Sequence, residues 1–181
     1  MTETPPSITS GIAGPTCRDK PLSASETTKP RYVVGVDLGT TNSAVNYIDT
    51  EKRPDRIEVL PIPQVVAPGQ VEPLPTLPSF HYEPAAGELT AESLRLPWPT
   101  DEAGWAVGTF ARDHGALVPS RLIASAKSWL CHSGVDRTAE LLPWQAAPDV
   151  ERLSPVEASS RYLLHIRNAW VAAHPKHPLA A

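Results

Sequence analysis

Asp37-Leu38-Gly39-Thr40-Thr41-Asn42 is the segment of this chain best equipped for chemistry. An apolar run rich in β-branched residues, Tyr32-Val33-Val34-Gly35-Val36, ends on the Asp37 carboxylate. Gly39-Thr40-Thr41-Asn42-Ser43 follows, and a second apolar run opens at Ala44-Val45. This order reads as a hairpin whose turn can offer backbone N–H groups and hydroxyls to a phosphate. A carboxylate just before such a turn is well placed to hold a hydrated magnesium ion. The same residue types also build ordinary hairpin turns, so composition alone leaves both readings open.

The elements that must position this turn can be read along the chain. Tyr32 to Leu38 and Ser43 to Asp49 read as paired strands, the first apolar enough that burial on both faces is expected. Ile57 to Leu60 alternates and reads as a third strand ending at Pro61. Pro61 to Pro75 reads as a loop or extended excursion with a turn at Pro68-Gly69, and Leu77 to Tyr82 as a strand. Ala85 to Thr100 reads as a surface loop, Trp105 to Val107 as a short strand, and Thr109 to His114 as a short helix closed by Gly115. Ser120 is expected to cap a helix reaching Leu130, with Leu122, Ile123, Ala126 and Leu130 on its apolar side. Ser154-Pro155-Val156-Glu157 carries a capping serine, a proline at the first helical position and a glutamate able to complete a capping box. The helix it starts should run to about Ala173, with Val156, Leu163, Ile166 and Trp170 on one face.

Val34-Gly35-Val36-Asp37-Leu38-Gly39-Thr40-Thr41-Asn42-Ser43 resembles the first phosphate loop of the DnaK-type heat-shock chaperones, which belong to the superfamily of actin and sugar-kinase ATPases. Leu77-Pro78-Ser79-Phe80 and Trp105-Ala106-Val107-Gly108-Thr109-Phe110-Ala111 resemble later segments of that family, in the family's order. Leu122-Ile123-Ala124-Ser125-Ala126-Lys127-Ser128-Trp129-Leu130 resembles the segment that carries its phosphate-contacting lysine. The resemblance runs from about Arg31 to the C-terminus.

It implies an α/β fold: the first lobe of an actin-like, ribonuclease H-like ATPase domain, with a mixed sheet opening on a β-hairpin, plus helices. It also implies ATP or ADP with Mg2+ as the ligand. Gly39, Thr40, Thr41 and Asn42 would cradle the β- and γ-phosphates, and Asp37 would act on the metal through its water shell. Lys127 would bring its ammonium near the γ-phosphate and the attacking water, making Asp37 and Lys127 the catalytic pair. Phosphoryl transfer to water needs positioning and charge neutralisation rather than covalent chemistry, so amides, a metal and a compact cation suffice.

In the family two lobes close on the nucleotide, and a substrate-binding domain follows. The second phosphate loop, the adenosine-binding segment and the remaining metal-site acids lie beyond the position of Ala181. The expectation is an incomplete N-terminal lobe over residues 31–181, behind a tail over residues 1–30, with negligible hydrolysis by this chain alone. Unfolded client proteins and co-chaperones would be partners only of a full-length relative. Trp129 stands where the family often has basic or glycine residues, which suggests a divergent bacterial branch. A sugar-kinase relative would carry a similar Asp-x-Gly-Thr-Thr-Ser turn, but Asn42 and Ala126-Lys127-Ser128-Trp129-Leu130 favour the chaperone side. A truncated, non-enzymatic product is the remaining reading.

Composition narrows the class further. With 181 residues and a net charge of −4, the chain does not read as a general nucleic-acid binder or a membrane-surface protein. No apolar run approaches the ~20 residues that span a bilayer. Met1-Thr2-Glu3-Thr4-Pro5-Pro6 lacks a secretory pattern, and the 2 cysteines, Cys17 and Cys131, lie far apart, so a reduced cytoplasmic protein is expected. The 21 prolines cluster in the first thirty residues and again from Pro54 to Pro99. Residues 1–30 hold too little apolar surface to offset ordering entropy and are expected to be disordered. Cys131, His132, His165, His174 and His177 do not fall at zinc-site spacings. Trp98, Trp105, Trp129 and Trp144 read as packing residues, and acids dilute any patch formed by Arg112, Arg121 and Arg137.

Overall fold

In the computed structural model, which describes residues 30–99 and 104–179, the chain is a mixed α/β assembly of small antiparallel sheets and few helices. The expected tail lies outside the described residues except for Pro30. Strands β1 (Tyr32–Asp37), β2 (Asn42–Asp49) and β3 (Glu58–Val59) form an antiparallel meander, as the alternating apolar runs require. β4 (Ile62–Ala67) and β5 (Gln70–Leu74) form a separate hairpin, after which β6 (Leu77–Pro78) returns to pair with the start of β2. Past Ser79 the chain continues as β7 (Phe80–Tyr82), the centre of a third sheet between β8 (Ala106–Val107) and β9 (Leu122–Ala124). Helices α1 (Thr109–Gly115), α2 (Ala126–Leu130) and α3 (Pro155–Ala173) complete the fold.

The principal core gathers Val45, Leu77, Val107 and Ile123 from the strands against Tyr162, Ile166 and Trp170 of α3. A smaller cluster unites Val65, Tyr82, Phe110 and Ala111 beneath α1. Gln64 joins the two regions from a fully buried position on β4. Its Nε2 donates to the Thr76 carbonyl at 2.9 Å, and its Oε1 accepts from the Thr109 amide and hydroxyl, both at 2.9 Å. It thereby satisfies an otherwise orphan N–H at the start of α1.

Several elements differ from the sequence expectation for identifiable reasons. β1 is not buried on both faces: Val33 is 53 % and Val36 43 % exposed. Alternation turns Tyr32 and Val34 toward the core and Val33 to the uncovered face, while Val36, on the core side, becomes exposed near the end of the strand. Of the loop or extended excursion expected over residues 61–75, the extended form is present as the β4–β5 hairpin, turned at Gly69 with φ +74° where the Pro68-Gly69 signal lies. Pro63 lies opposite Pro73, which a two-stranded ribbon tolerates because a missing N–H can fall on an open edge. The expected helix from Ser120 to Leu130 is divided. Pro119–Arg121 is a 3₁₀ turn, Leu122–Ala124 pairs with β7, and α2 starts only after Ser125, whose φ of 56° breaks the path. A short apolar run satisfies either period, and the ladder to β7 decides it here.

Gly115 does not close α1 from outside; it lies within the helix. A Cβ there would approach Leu122 Cδ1 to 2.6 Å, so the glycine lets β9 pack close. α3 begins as expected, with Ser154 Oγ accepting from the Glu157 amide at 3.0 Å. Glu157 does not complete the capping box, because its carboxylate accepts from Arg161 at 3.0 Å instead. The buried stripe of α3 is also rotated from the expected one. Ile166 and Trp170 are in it, but Val156 and Leu163 face solvent, and Ala158, Tyr162, His165 and Ala169 take their places. The small residues let the helix approach the sheets, a preference that ranking by large aliphatics overlooks.

Candidate functional site

The register Val34↔Tyr47, Val36↔Val45, Asp37↔Ala44 brings the two long strands together and closes the turn that follows Asp37. Leu38 packs against the principal core and anchors one side. Gly39 is sterically required. A Cβ at that position would lie 2.1 Å from the Asn42 carbonyl oxygen, a backbone atom that cannot move without opening the turn. Gly39 is half-buried, whereas Thr40, Thr41 and Asn42 are exposed.

Ser79 organises the polar groups of this turn. Its amide donates to the Thr41 carbonyl at 2.9 Å, and its hydroxyl donates to the Gly39 carbonyl at 2.9 Å. Because that hydroxyl proton is committed, the 3.0 Å contact between Ser43 Oγ and Ser79 Oγ has Ser43 as donor. Both serines are buried. The carbonyls of the turn are thus drawn inward onto Ser79. Among the described residues, the amides of Gly39, Thr40 and Thr41 donate no hydrogen bond. Unengaged successive amides beside exposed hydroxyls are the arrangement that receives an anion.

Asp37 ends β1 in an exposed position, without an ion pair among the described residues. It is the sole acid between Tyr32 and Val45. No group of three or more His, Cys, Asp or Glu side chains among the described residues could hold a metal directly. A carboxylate without an ion pair, beside amides that donate no hydrogen bond, is a donor set that could hold a magnesium ion through its water shell.

Lys127 is half-buried near the start of α2 and likewise forms no ion pair among the described residues. It is tied to the turn through one stretch of main chain. Ser79 binds the turn, its neighbour Phe80 pairs with Ala124 at the end of β9, and the left-handed Ser125 then redirects the chain into α2. Ala126 is fully buried, which anchors the residue before the lysine. The structure therefore brings Gly39, Thr41 and Ser79 into direct contact. Lys127 makes no hydrogen bond or ion pair with them among the described residues; the nearest link is the pairing of Phe80 with Ala124, three residues before it.

Ser79 and Gln64 were missed as functional supports by the sequence reading, although each left a signal. Ser79 stands inside a motif already singled out, and Gln64 is a polar residue at an inward position of an apolar alternation. Buried histidines were missed too. His81 Nε2 accepts from Arg161 at 2.8 Å, and burial, helped by that guanidinium, holds its pKa down at about 3. His165 donates from Nε2 to the Pro63 carbonyl at 2.9 Å; burial holds its pKa down at about 4, against the opposing effect of that bond.

Among the residues set aside earlier, Cys131 and His132 are exposed and His174 stacks on Trp170 at 4.0 Å. Trp144 departs from a packing role: it is 61 % exposed and stacks on Trp129. Arg112 and Arg121 are engaged by Asp113 and Asp149.

No known protein-family model matches this chain, and no curated protein matches it. Among the described residues, no helix is long and apolar enough to cross a membrane.

Proposed function

We propose that this chain is a nucleotide-binding lobe of the actin-like ATPase type, related to the DnaK chaperones, which grips the phosphates of ATP or ADP at Gly39–Asn42. The observation that carries the reading is the polarity of the turn: its carbonyls bind Ser79, while the amides of Gly39, Thr40 and Thr41 have no partner among the described residues. Those amides and the hydroxyls of Thr40 and Thr41 would hold the terminal phosphates. When bound, a hydrated magnesium ion would supply charge neutralisation, and Asp37 would hold it through water. Lys127 would add a compact positive charge to the same phosphates, the electrostatic help that phosphoryl transfer needs. Asn42 and the Ala126-Lys127 segment favour this reading over a sugar-kinase relative.

Titration of the isotope-labelled chain with magnesium and ATP, ADP or AMP, followed by amide chemical shifts, tests the assignment. ATP and ADP should move Gly39 to Asn42 and the amides around Lys127, with AMP inert. Gly39→Ala, whose Cβ cannot coexist with the Asn42 carbonyl, should abolish the response. Shifts scattered elsewhere, or an equal response to AMP, would end the proposal.

A further inference from the structure

A cavity of about 330 Å³ lies between α3 and a wall that includes Leu94, Leu96, Trp98 and Trp105, remote in sequence from the Gly39–Asn42 turn. Its volume falls at the small end of the range for small-molecule sites, ~300–1,000 Å³. Two indoles wall it, Trp98 and Trp105, both half-buried. Neither is free to swing. Trp98 meets the His165 ring edge-on at 5.2 Å, and Trp105 is held by the His81 ring at 5.3 Å and the Arg161 guanidinium at 5.0 Å.

The floor is α3. Leu164 and Asn168 both line the cavity, one helical turn apart, which puts His165 and Arg167 on opposite flanks of it. The two flanks differ in chemistry. His165 is 4 % exposed, and its Nε2–H is committed to the Pro63 carbonyl. Its Nδ1 is therefore a lone-pair acceptor, and no described residue donates to it. Burial keeps the ring neutral at ordinary pH, so that lone pair is available. Arg167 is exposed and forms no ion pair among the described residues, so its guanidinium is free to take an anion.

We propose that this cavity binds a small aromatic acid bearing a ring hydroxyl or N–H. The carboxylate pairs with Arg167, the ring lies against Trp98 and Trp105, and the ring donor is received by His165 Nδ1. A carboxylate alone would not suit the histidine flank, where two acceptors would face each other. A neutral phenol would leave the guanidinium unused. The site is independent of the nucleotide reading and stands or falls separately.

The test uses the full chain with labelled indole nitrogens and para-hydroxybenzoate as probe. Trp98→Phe and Trp105→Phe assign the two indole signals. The probe should shift those two saturably and leave Trp129, Trp144 and Trp170 in place. Para-methoxybenzoate, which lacks the donor, and para-hydroxybenzamide, which lacks the charge, should each bind about tenfold more weakly, the usual effect of removing one such hydrogen bond. Arg167→Gln, at an exposed position, should erase the preference for the acid over the amide. Absence of saturable shifts, an equal response at all the tryptophans, or an unchanged preference in Arg167→Gln would overturn the proposal. None of these outcomes touches the signals of Gly39–Asn42, so failure here is distinguishable from failure of the phosphate site.

Discussion

Replacing Ser79 by alanine removes one oxygen that two other groups rely on. The Ser43 hydroxyl, fully buried, loses its acceptor, and the Gly39 carbonyl loses its donor. A buried polar group left unsatisfied costs roughly 1–3 kcal/mol. Gly39 is only half-buried, so water can reach its carbonyl and most of the penalty falls on Ser43. Ser79→Ala should therefore destabilise the chain by about 2–3 kcal/mol, measured by urea unfolding followed through tryptophan fluorescence. Ser43→Ala leaves the Ser79–Gly39 bond intact and should cost about 1 kcal/mol. In the double variant the orphaned hydroxyl is gone, so the two losses should fall short of adding by about 1 kcal/mol. Exchange of the Ser79 amide, which donates to the Thr41 carbonyl and is then the turn's remaining tether, should speed up in Ser79→Ala. Loss of less than about 0.5 kcal/mol, or strict additivity, would refute the claim that a serine relay holds this turn.

Acid should destabilise the fold well above the carboxylate range. His81 and His165 have folded pKa values of about 3 and about 4, below the ordinary 6.5, so their contribution is complete above 6.5 and is lost as pH falls toward those values. Between pH 7.5 and 5 each should remove about 2 kcal/mol, and His81→Gln should roughly halve the drop in unfolding free energy. An identical pH profile in that variant would contradict the burial argument. Gln64→Leu should cost about 2–4 kcal/mol, because the Thr109 amide and hydroxyl and the Thr76 carbonyl all lose their partner. Thermal unfolding checks this, and a melting point within a degree or so of the parent would show that water replaces the amide.

The elements around the turn were legible because their signals are local. Alternation and the Asp37–Asn42 interruption are enough to define β1 and β2, and Ser154-Pro155 marks the start of α3 within a residue. Misreadings arose where a distant partner decides the outcome. Leu122 to Ala124 has a helix-compatible pattern, and only pairing with Phe80 to Tyr82 makes it a strand. Over Pro61–Pro75 the turn at Pro68-Gly69 was legible, but prolines hide the alternation, so a loop and an extended excursion stayed equally open until the pairing of β4 with β5 decided it. The exposure of Val33 could not be read from β1 at all, since it depends on whether another layer covers that face of the sheet. Residue types picked out Gly39 and the threonines; the role of Ser79 needed the return of the chain across the start of β2.

The segment Leu77–Tyr82 belongs to one sheet before Ser79 and to another after it. A main chain shared in this way works like a tie rod. Any force that shifts the Thr41 carbonyl is carried along peptide bonds to Phe80, and from Phe80 across its ladder to Ala124, three residues short of the ammonium of Lys127. The turn and the strand that leads into α2 thus hang from the same few residues, so a change that loosens Ser79 should also loosen the pairing of Phe80 with Ala124.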